Sequence, residues 1–288
     1  MFRQTRKMAN VVGIAAGALA TGVLPCEGTY YKIFLRALTA AGVGLTSAQI
    51  LADIGQIRVT VNGEDVVRCQ VDHLLMLQKY YWDAEYSTFI NGIIPIYFER
   101  PRLATDSERS VYALGMQDVK SFTIEVQIDG VAQLATLEVF AYQTPEARLL
   151  GQHVRILRFP QVFTTTGEQE LLTMPYLNDA TKGYIALHVH QGTGAGVVQD
   201  LSIKVGGNAI YDRVPAGLAQ MEQAQAGRTL QTGYYHADLG ICNDFRDGFL
   251  PMGGVKDFRQ NITWITNAPN NYDIIAEVIH GLQPQKAA

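Results

Sequence analysis

The sequence predicts an all-β protein built from two tandem eight-stranded jelly rolls with short flanking helices. Three observations carry that prediction. A hairpin followed by a helix occurs twice at a fixed offset. Each half of the chain holds roughly eight strand-like segments, without the strand–helix alternation that builds a parallel sheet. The composition is that of an ordered, glycine-punctuated β protein.

Of 288 residues, 48% are apolar and 17% charged, with 14 Tyr and 27 Gly. That balance excludes a disordered chain, and the length suits two domains that each bury a core. A formal net charge of −4 is too mild for a nucleic-acid-binding surface, so no direct sequence-specific contact with nucleic acid is expected. Cys26, Cys69 and Cys242 are odd in number and form no C-x-x-C pair. They read as small buried or half-buried hydrophobes of a reducing compartment.

In chain order, Arg3, Arg6 and Lys7 precede an apolar stretch at 11–16 that imitates an export signal. Gly13, Gly17 and Gly22 break that run, so residues 1–24 read instead as an extended basic arm lying on an anionic surface or a neighbouring subunit, or as a merely solvated terminus. No stretch reaches the roughly 18 apolar residues that span a bilayer. Residues 29–36 are rich in β-formers, and 46–50 open a helical turn. Residues 57–61 alternate apolar and polar, Asn62-Gly63 makes a two-residue turn, and 66–69 return. Val71, Leu74, Leu75 and Leu77 then give a helix over 71–81 an apolar face. A strand over 92–99 is entered at Gly92 and closed by Pro101, and 102–109, with Asp106 and Glu108, reads as an exposed loop. Residues 122–128 and 134–142 make a hairpin around Asp129-Gly130.

Thr144-Pro145 is a short, stiff junction, so the first jelly roll is expected over 25–145 and the second over 146–288. The second half repeats the programme, with strands at 154–159, 171–174, 184–190, 201–205, 209–211, 234–242, 261–266 and 274–280. Gly206-Gly207 takes the hairpin turn. Pro215 opens a helix carrying Leu218, Met221 and Ala224, and Gly227 ends it. Leu201, Gly206 and Leu218 follow Ile57, Asn62 and Leu74 by the same 144 residues, while Pro251 and Ile275 follow Ala113 and Leu137 by 138. One register shift between two ordered sets of matches is the signature of a duplicated fold with loops of different length.

Candidate chemistry is sparse. His188-Val-His190 places two imidazoles on one face of a strand, as in a cupin-like metalloenzyme, but residues 191–196 supply no acidic ligand. The pair is therefore expected on a solvent or interface face. Asn243, Asp244 and Asp247 carry oxygen ligands at a spacing that fits no cation loop. The glycine-rich 192–196 lacks the lysine of a phosphate loop. No catalytic residue, cofactor or metal is expected. A glycan-binding jelly-roll module is the other alternative, but Trp82 and Trp264 sit in apolar segments and read as core, not as an exposed platform.

Gly28-Thr-Tyr30, Leu35-Arg36, residues 46–50 and the 57–63 hairpin resemble the opening of the corticovirus major capsid protein. The resemblance continues through Phe98-Glu-Arg-Pro101, Ala113-Leu-Gly115 and 124–129, then more faintly through 183–188, 200–207 and 274–277. It implies the double jelly-roll coat of tailless, membrane-containing icosahedral bacteriophages, made in the host cytoplasm and placed in the virion capsid. On that reading the chain forms pseudo-hexagonal homotrimers that tile an icosahedral shell, with neighbouring capsid trimers, a vertex (penton) protein, and inner membrane proteins or lipid headgroups as partners. Arg3, Arg6 and Lys7 are then the candidate residues that contact the membrane or a neighbour.

Overall fold

The computed structural model describes all residues except 1, 83–87, 101, 102, 104, 163–166, 172–174, 192–196, 243–247, 266–270 and 283–288, together with the side chain of Trp82. The chain forms two compact units, Met1–Leu157 and Arg158–Ala288.

The first unit runs β1 (Gln4–Lys7), β2 (Leu19–Val23), β3 (Thr29–Leu38), α1 (Ser47–Asp53), β4 (Ile54–Val61), β5 (Glu64–Gln70), α2 (Val71–Trp82), β6 (Ile93–Tyr97), α3 (Asp106–Val111), β7 (Leu114–Gly115), β8 (Phe122–Ile128) and β9 (Thr136–Thr144), and then enters β10 (His153–Val162). One sheet has the order β1-β9-β3-β6, with β7 also on β3; the other runs β5-β4-β8-β2. Their pairs are antiparallel, except that Ile156 and Leu157 of β10 lie parallel to Val67 and Arg68 of β5. Burial alternates along β8 and β9, so Phe122, Ile124, Val126, Leu137, Val139 and Ala141 point inward.

Four features of this unit depart from the sequence reading. First, β8 and β9 do not form the expected hairpin: β8 pairs with β2 and β4, and β9 with β1 and β3 in the other sheet. Within 1–24, β1 pairs with β9 from Gln4–Gln143 to Lys7–Phe140, and β2 pairs with β8 from Leu19–Gln127 to Val23–Thr123. The segment is therefore woven into the sheets. Its strands leave little pattern to read, because β1 is buried on neither face and β2 buries only Ala20 and Gly22. Within 102–109, a helix replaces the expected loop. Thr105 accepts from the Glu108 N–H, and the Glu108 carboxylate accepts from the Thr105 N–H, a capping box that starts α3. The compact units part at Leu157–Arg158, beyond Thr144-Pro145. The intervening segment is fastened to the first unit: Thr29 Oγ1 donates to the Glu146 carbonyl, and Arg148 Nη2 donates to the carbonyls of Ser110, Val111 and Ala113 at 2.6–2.8 Å.

The second unit contains β11 (Gly167–Leu171), β12 (Lys182–His190), β13 (Val198–Val205), β14 (Asn208–Pro215), α4 (Ala216–Gln225), β15 (Tyr234–Asp238), β16 (Leu250–Pro251), β17 (Phe258–Trp264) and β18 (Asn271–His280). One sheet has the order β15-β12-β18 with β16 on β12; the other runs β11-β17-β13-β14. The duplication is visible element by element. β4 and β13 begin and end 144 residues apart, and each enters a tight hairpin that leads to a helix. Of the expected strand at 171–174, only Leu171 is among the described residues, as the end of β11. The strand expected over 234–242 ends at Asp238, and Cys26 and Cys242 are exposed while Cys69 is buried.

The core of this unit brings Tyr184, Leu187 and Val189 of β12 and Ile274, Ala276 and Val278 of β18 against β13 and β17. Trp264 is buried there, edge-on to Tyr272 at 5.0 Å, as expected from its apolar surroundings. Gln260, on the same inward face of β17, is fully buried and neither its Nε2 nor its Oε1 is hydrogen-bonded within the protein. A buried amide without partners is costly. Gln260→Met is expected to raise the stability of the second unit by about 1–2 kcal/mol in urea unfolding, and an unchanged or lowered midpoint would contradict this.

Candidate functional site

The three arm cations each have a partner in the first unit. The Arg3 guanidinium lies 4.3 Å from the centre of the Tyr31 ring. Arg6 pairs with Glu27 at 2.6 Å, and Lys7 pairs with Glu138 at 2.5 Å. Lys7, with Arg36 beside it, holds the Glu138 carboxyl below the usual carboxylate range. The Arg6 and Lys7 side chains remain 53% and 54% exposed. Exposed pairs such as Arg6–Glu27 add little stability, so they serve mainly to lay the strand in register.

His188 and His190 do share one face of β12, but they do not converge on one point. His188 faces His236 directly across β12 and β15. Its Nδ1 is 2.8 Å from His236 Nδ1, and its Nε2 is 2.8 Å from Glu277 Oε1 on β18. Both ring nitrogens are thus engaged by protein, which is not a cupin ligand geometry. His190 is half-buried and stacks on Tyr234 at 4.5 Å, and Tyr234 in turn lies parallel to His236 at 5.8 Å. Beside them Arg228 Nε donates to Asp238 Oδ2 at 2.9 Å, and Gln223 of α4 donates to the His236 carbonyl at 2.7 Å. His236 and Glu277 were not legible as partners of His188 because they lie 48 and 89 residues away. Asn243, Asp244, Asp247 and the glycine-rich 192–196 fall outside the described residues.

A third feature emerges from comparing the two helices of the repeat. In α2, Leu74, Leu75 and Leu77 are 5%, 7% and 7% exposed. Their counterparts in α4 are Leu218, Ala219 and Met221, at 44%, 3% and 57%. The second helix is anchored by Ala219 and Gln223 and leaves its larger apolar side chains in the open. Next to it lies a cleft of about 400 Å³, lined by Val197, Val198, Ala216, Gln220, Leu230 and Tyr234 among others, with no charged side chain among the described residues.

Family models match almost the whole chain: the N-terminal domain of viral coat protein P2 over residues 5–144, and its C-terminal domain over 154–282. The chain belongs to the viral coat protein P2 family. This coat protein is a structural component of the virion capsid and not an enzyme, and the cupin-like alternative is unsupported. No curated protein sequence matches it. Among solved structures, the coat protein is similar to the major capsid protein P2 of bacteriophage PM2, with a TM-score of 0.81 at 18% identity over 99% of this chain and 100% of that one. It is also similar to the PBCV-1 virus capsid, at 0.67 and 10% identity over 96% and 94%, and to the STIV MCP, at 0.64 and 11% over 96% and 97%. These matches show the double jelly-roll fold. The two family domains leave residues 145–153 between them, the stretch that contains the Arg148 tether.

Proposed function

We propose that the coat protein assembles as a homotrimer, a pseudo-hexagonal capsomer that tiles the faces of an icosahedral shell over an internal lipid membrane. The observation that supports this most directly is the duplication. Three chains, each with two copies of one β fold, supply six similar bodies around a ring and so approximate six-fold symmetry. A separate protein would be needed at the vertices, where five-fold symmetry holds.

The α4 face is the surface this reading assigns to subunit contact. Leu218 and Met221 are apolar side chains at positions that the sister helix keeps covered, and the described lining of the adjoining cleft lacks charge, as the centres of subunit interfaces commonly do. Covering such a side chain contributes about 1.5–3 kcal/mol. The wild-type chain is expected to scatter light as a particle about three times its 31.7 kDa mass. Replacing Leu218 and Met221 together with Glu is expected to give a folded monomer. A wild-type monomer at every concentration would remove the trimer, and a trimeric double variant would move the contact elsewhere.

A further inference from the structure

The two repeats of the fold correspond strand by strand, and one strand contact made by the first has no counterpart at the second. In the first repeat the sheet β1-β9-β3-β6 carries β7 on β3; in the second, β10-β18-β12-β15 carries β16 on β12. The other sheets match likewise, β5-β4-β8-β2 against β14-β13-β17-β11. β10 is therefore the equivalent of β1. β14 is the equivalent of β5, and the two begin 144 residues apart at Glu64 and Asn208. Within the first unit, β10 lies on the edge of β5 that β4 leaves open: Ile156 and Leu157 run parallel to Val67 and Arg68, and Arg155 pairs with Glu64 at 3.2 Å. Among the described residues, β14 has no strand on the corresponding edge, and β1 has none beyond β9.

We propose that β1 of one chain adds to β14 of a neighbouring copy of the chain as a parallel strand. The inference rests on the ring of three chains argued above. The strand that leads into the second repeat lies on the hairpin strand of the repeat before it. Around a closed ring, the repeat that precedes the first one is the second repeat of the neighbouring chain, so β1 is the strand that meets β14. A three-fold ring also requires contact between unlike surfaces, and these two edges supply it.

The chemistry of the edges fits. An edge strand presents N–H and C=O groups that another strand can satisfy. β1 carries Arg6 and Lys7, whose side chains stay 53% and 54% exposed beside their carboxylate partners. β14 exposes Asp212, and α4 exposes Glu222, while Arg213 is already matched by Glu168 at 3.3 Å. A cationic strand thus meets an acidic edge, in the same sense as Arg155 of β10 meets Glu64 of β5. Ile210 of β14 is 43% exposed, whereas its equivalent Val66 is 1% exposed. β14 leads directly into α4, so this edge continues the subunit contact assigned to Leu218 and Met221. Pairing is expected along 208–212, before Arg213 turns the backbone at φ +49.

The test is disulfide trapping between chains. Thr5→Cys or Arg6→Cys is combined with Tyr211→Cys or Asp212→Cys, in a chain whose Cys26, Cys69 and Cys242 are replaced by Ala. Tyr211 and Asp212 are the equivalents of Val67 and Arg68, and strand neighbours lie within disulfide reach. After oxidation, at least one of these pairs should give covalent dimers and trimers on a denaturing gel, and no variant with a single introduced cysteine should give either. Failure of every pair in a particle that still scatters light as a trimer would overturn strand addition and leave the trimer standing. Disulfides confined to one chain would overturn it as well. A particle that scatters as a monomer would overturn both readings. Should the cysteine-free chain fail to fold, hydrogen exchange of the unaltered trimer decides. Amides of 4–7 and 208–212 should then exchange as slowly as those of β5, which is paired on both edges, and exchange at the rate of an open edge would overturn the proposal.

Discussion

Gly92→Ala is expected to abolish folding of the first unit, at a cost of more than about 4 kcal/mol. Gly92 has φ +76, a conformation that glycine adopts readily and alanine adopts at a cost of about 1–2 kcal/mol. Strain is the smaller part. A methyl group there would sit 2.3 Å from the Ala37 carbonyl oxygen, which already accepts from the Leu45 N–H at 3.0 Å, and 2.8 Å from Leu45 N itself. Gly44 is confined in the same way from the opposite side, where a methyl group would sit 2.2 Å from the Asn91 carbonyl oxygen. These obstacles are backbone, so no side-chain rotation relieves them. The internal control is Gly63, in the β4–β5 turn at φ +81 with open space around it. Gly63→Ala should cost only the conformational strain of about 1–2 kcal/mol. Equal losses for the two variants in urea unfolding would show that the close approach at Gly92 relaxes without cost.

The second large effect is expected at Arg228. Its side chain and that of Asp238 are each 1% exposed, and they meet at 2.9 Å; the second Asp238 oxygen accepts from the Gly240 N–H at 3.0 Å. Arg228→Met is expected to destabilise the second unit by about 3–5 kcal/mol, because it strips a buried carboxylate of its counter-charge. The pair as a whole contributes far less. Adding Asp238→Asn, which keeps an acceptor for Gly240 and removes the charge, should restore most of the loss, since replacing both members of a buried ion pair is often close to neutral. A loss below about 1 kcal/mol for the single variant, or no recovery in the double, would mean that Asp238 is solvated through another route.

The two variants bear on separate units, and their effects should remain independent unless the units unfold as one. Denaturation of Gly92→Ala that leaves tertiary signals from Trp264 intact would establish that the second unit stands alone, because Trp264 belongs to its core.

Much of the fold was legible because it rests on local chemistry. Asn62-Gly63 and Gly206-Gly207 specify tight turns, alternation marks the strands on either side, and the capping box at Thr46 and Gln49 starts α1 where 46–50 suggested a helical turn. The capping box at Thr105 and Glu108 was equally local, but the charged residues around it made the segment resemble a loop. Family membership was readable from an ordered set of such segments, none of them diagnostic alone.

What the sequence by itself determined is the repeated hairpin–helix unit, the all-β class and the coat-protein family, because turn, period and cap are set within a few neighbouring residues. Tertiary structure alone decided three things. It made a strand of Gln4–Lys7, whose edge position requires no apolar pattern. It brought His188 together with His236 and Glu277 across gaps of 48 and 89 residues. It also covered the apolar face of α2 and left that of α4 bare, although both helices carry leucine or methionine at the repeat-equivalent positions 74, 77, 218 and 221. Burial depends on what the rest of the chain places opposite a residue, and amphipathic period records only which side of the helix awaits a partner.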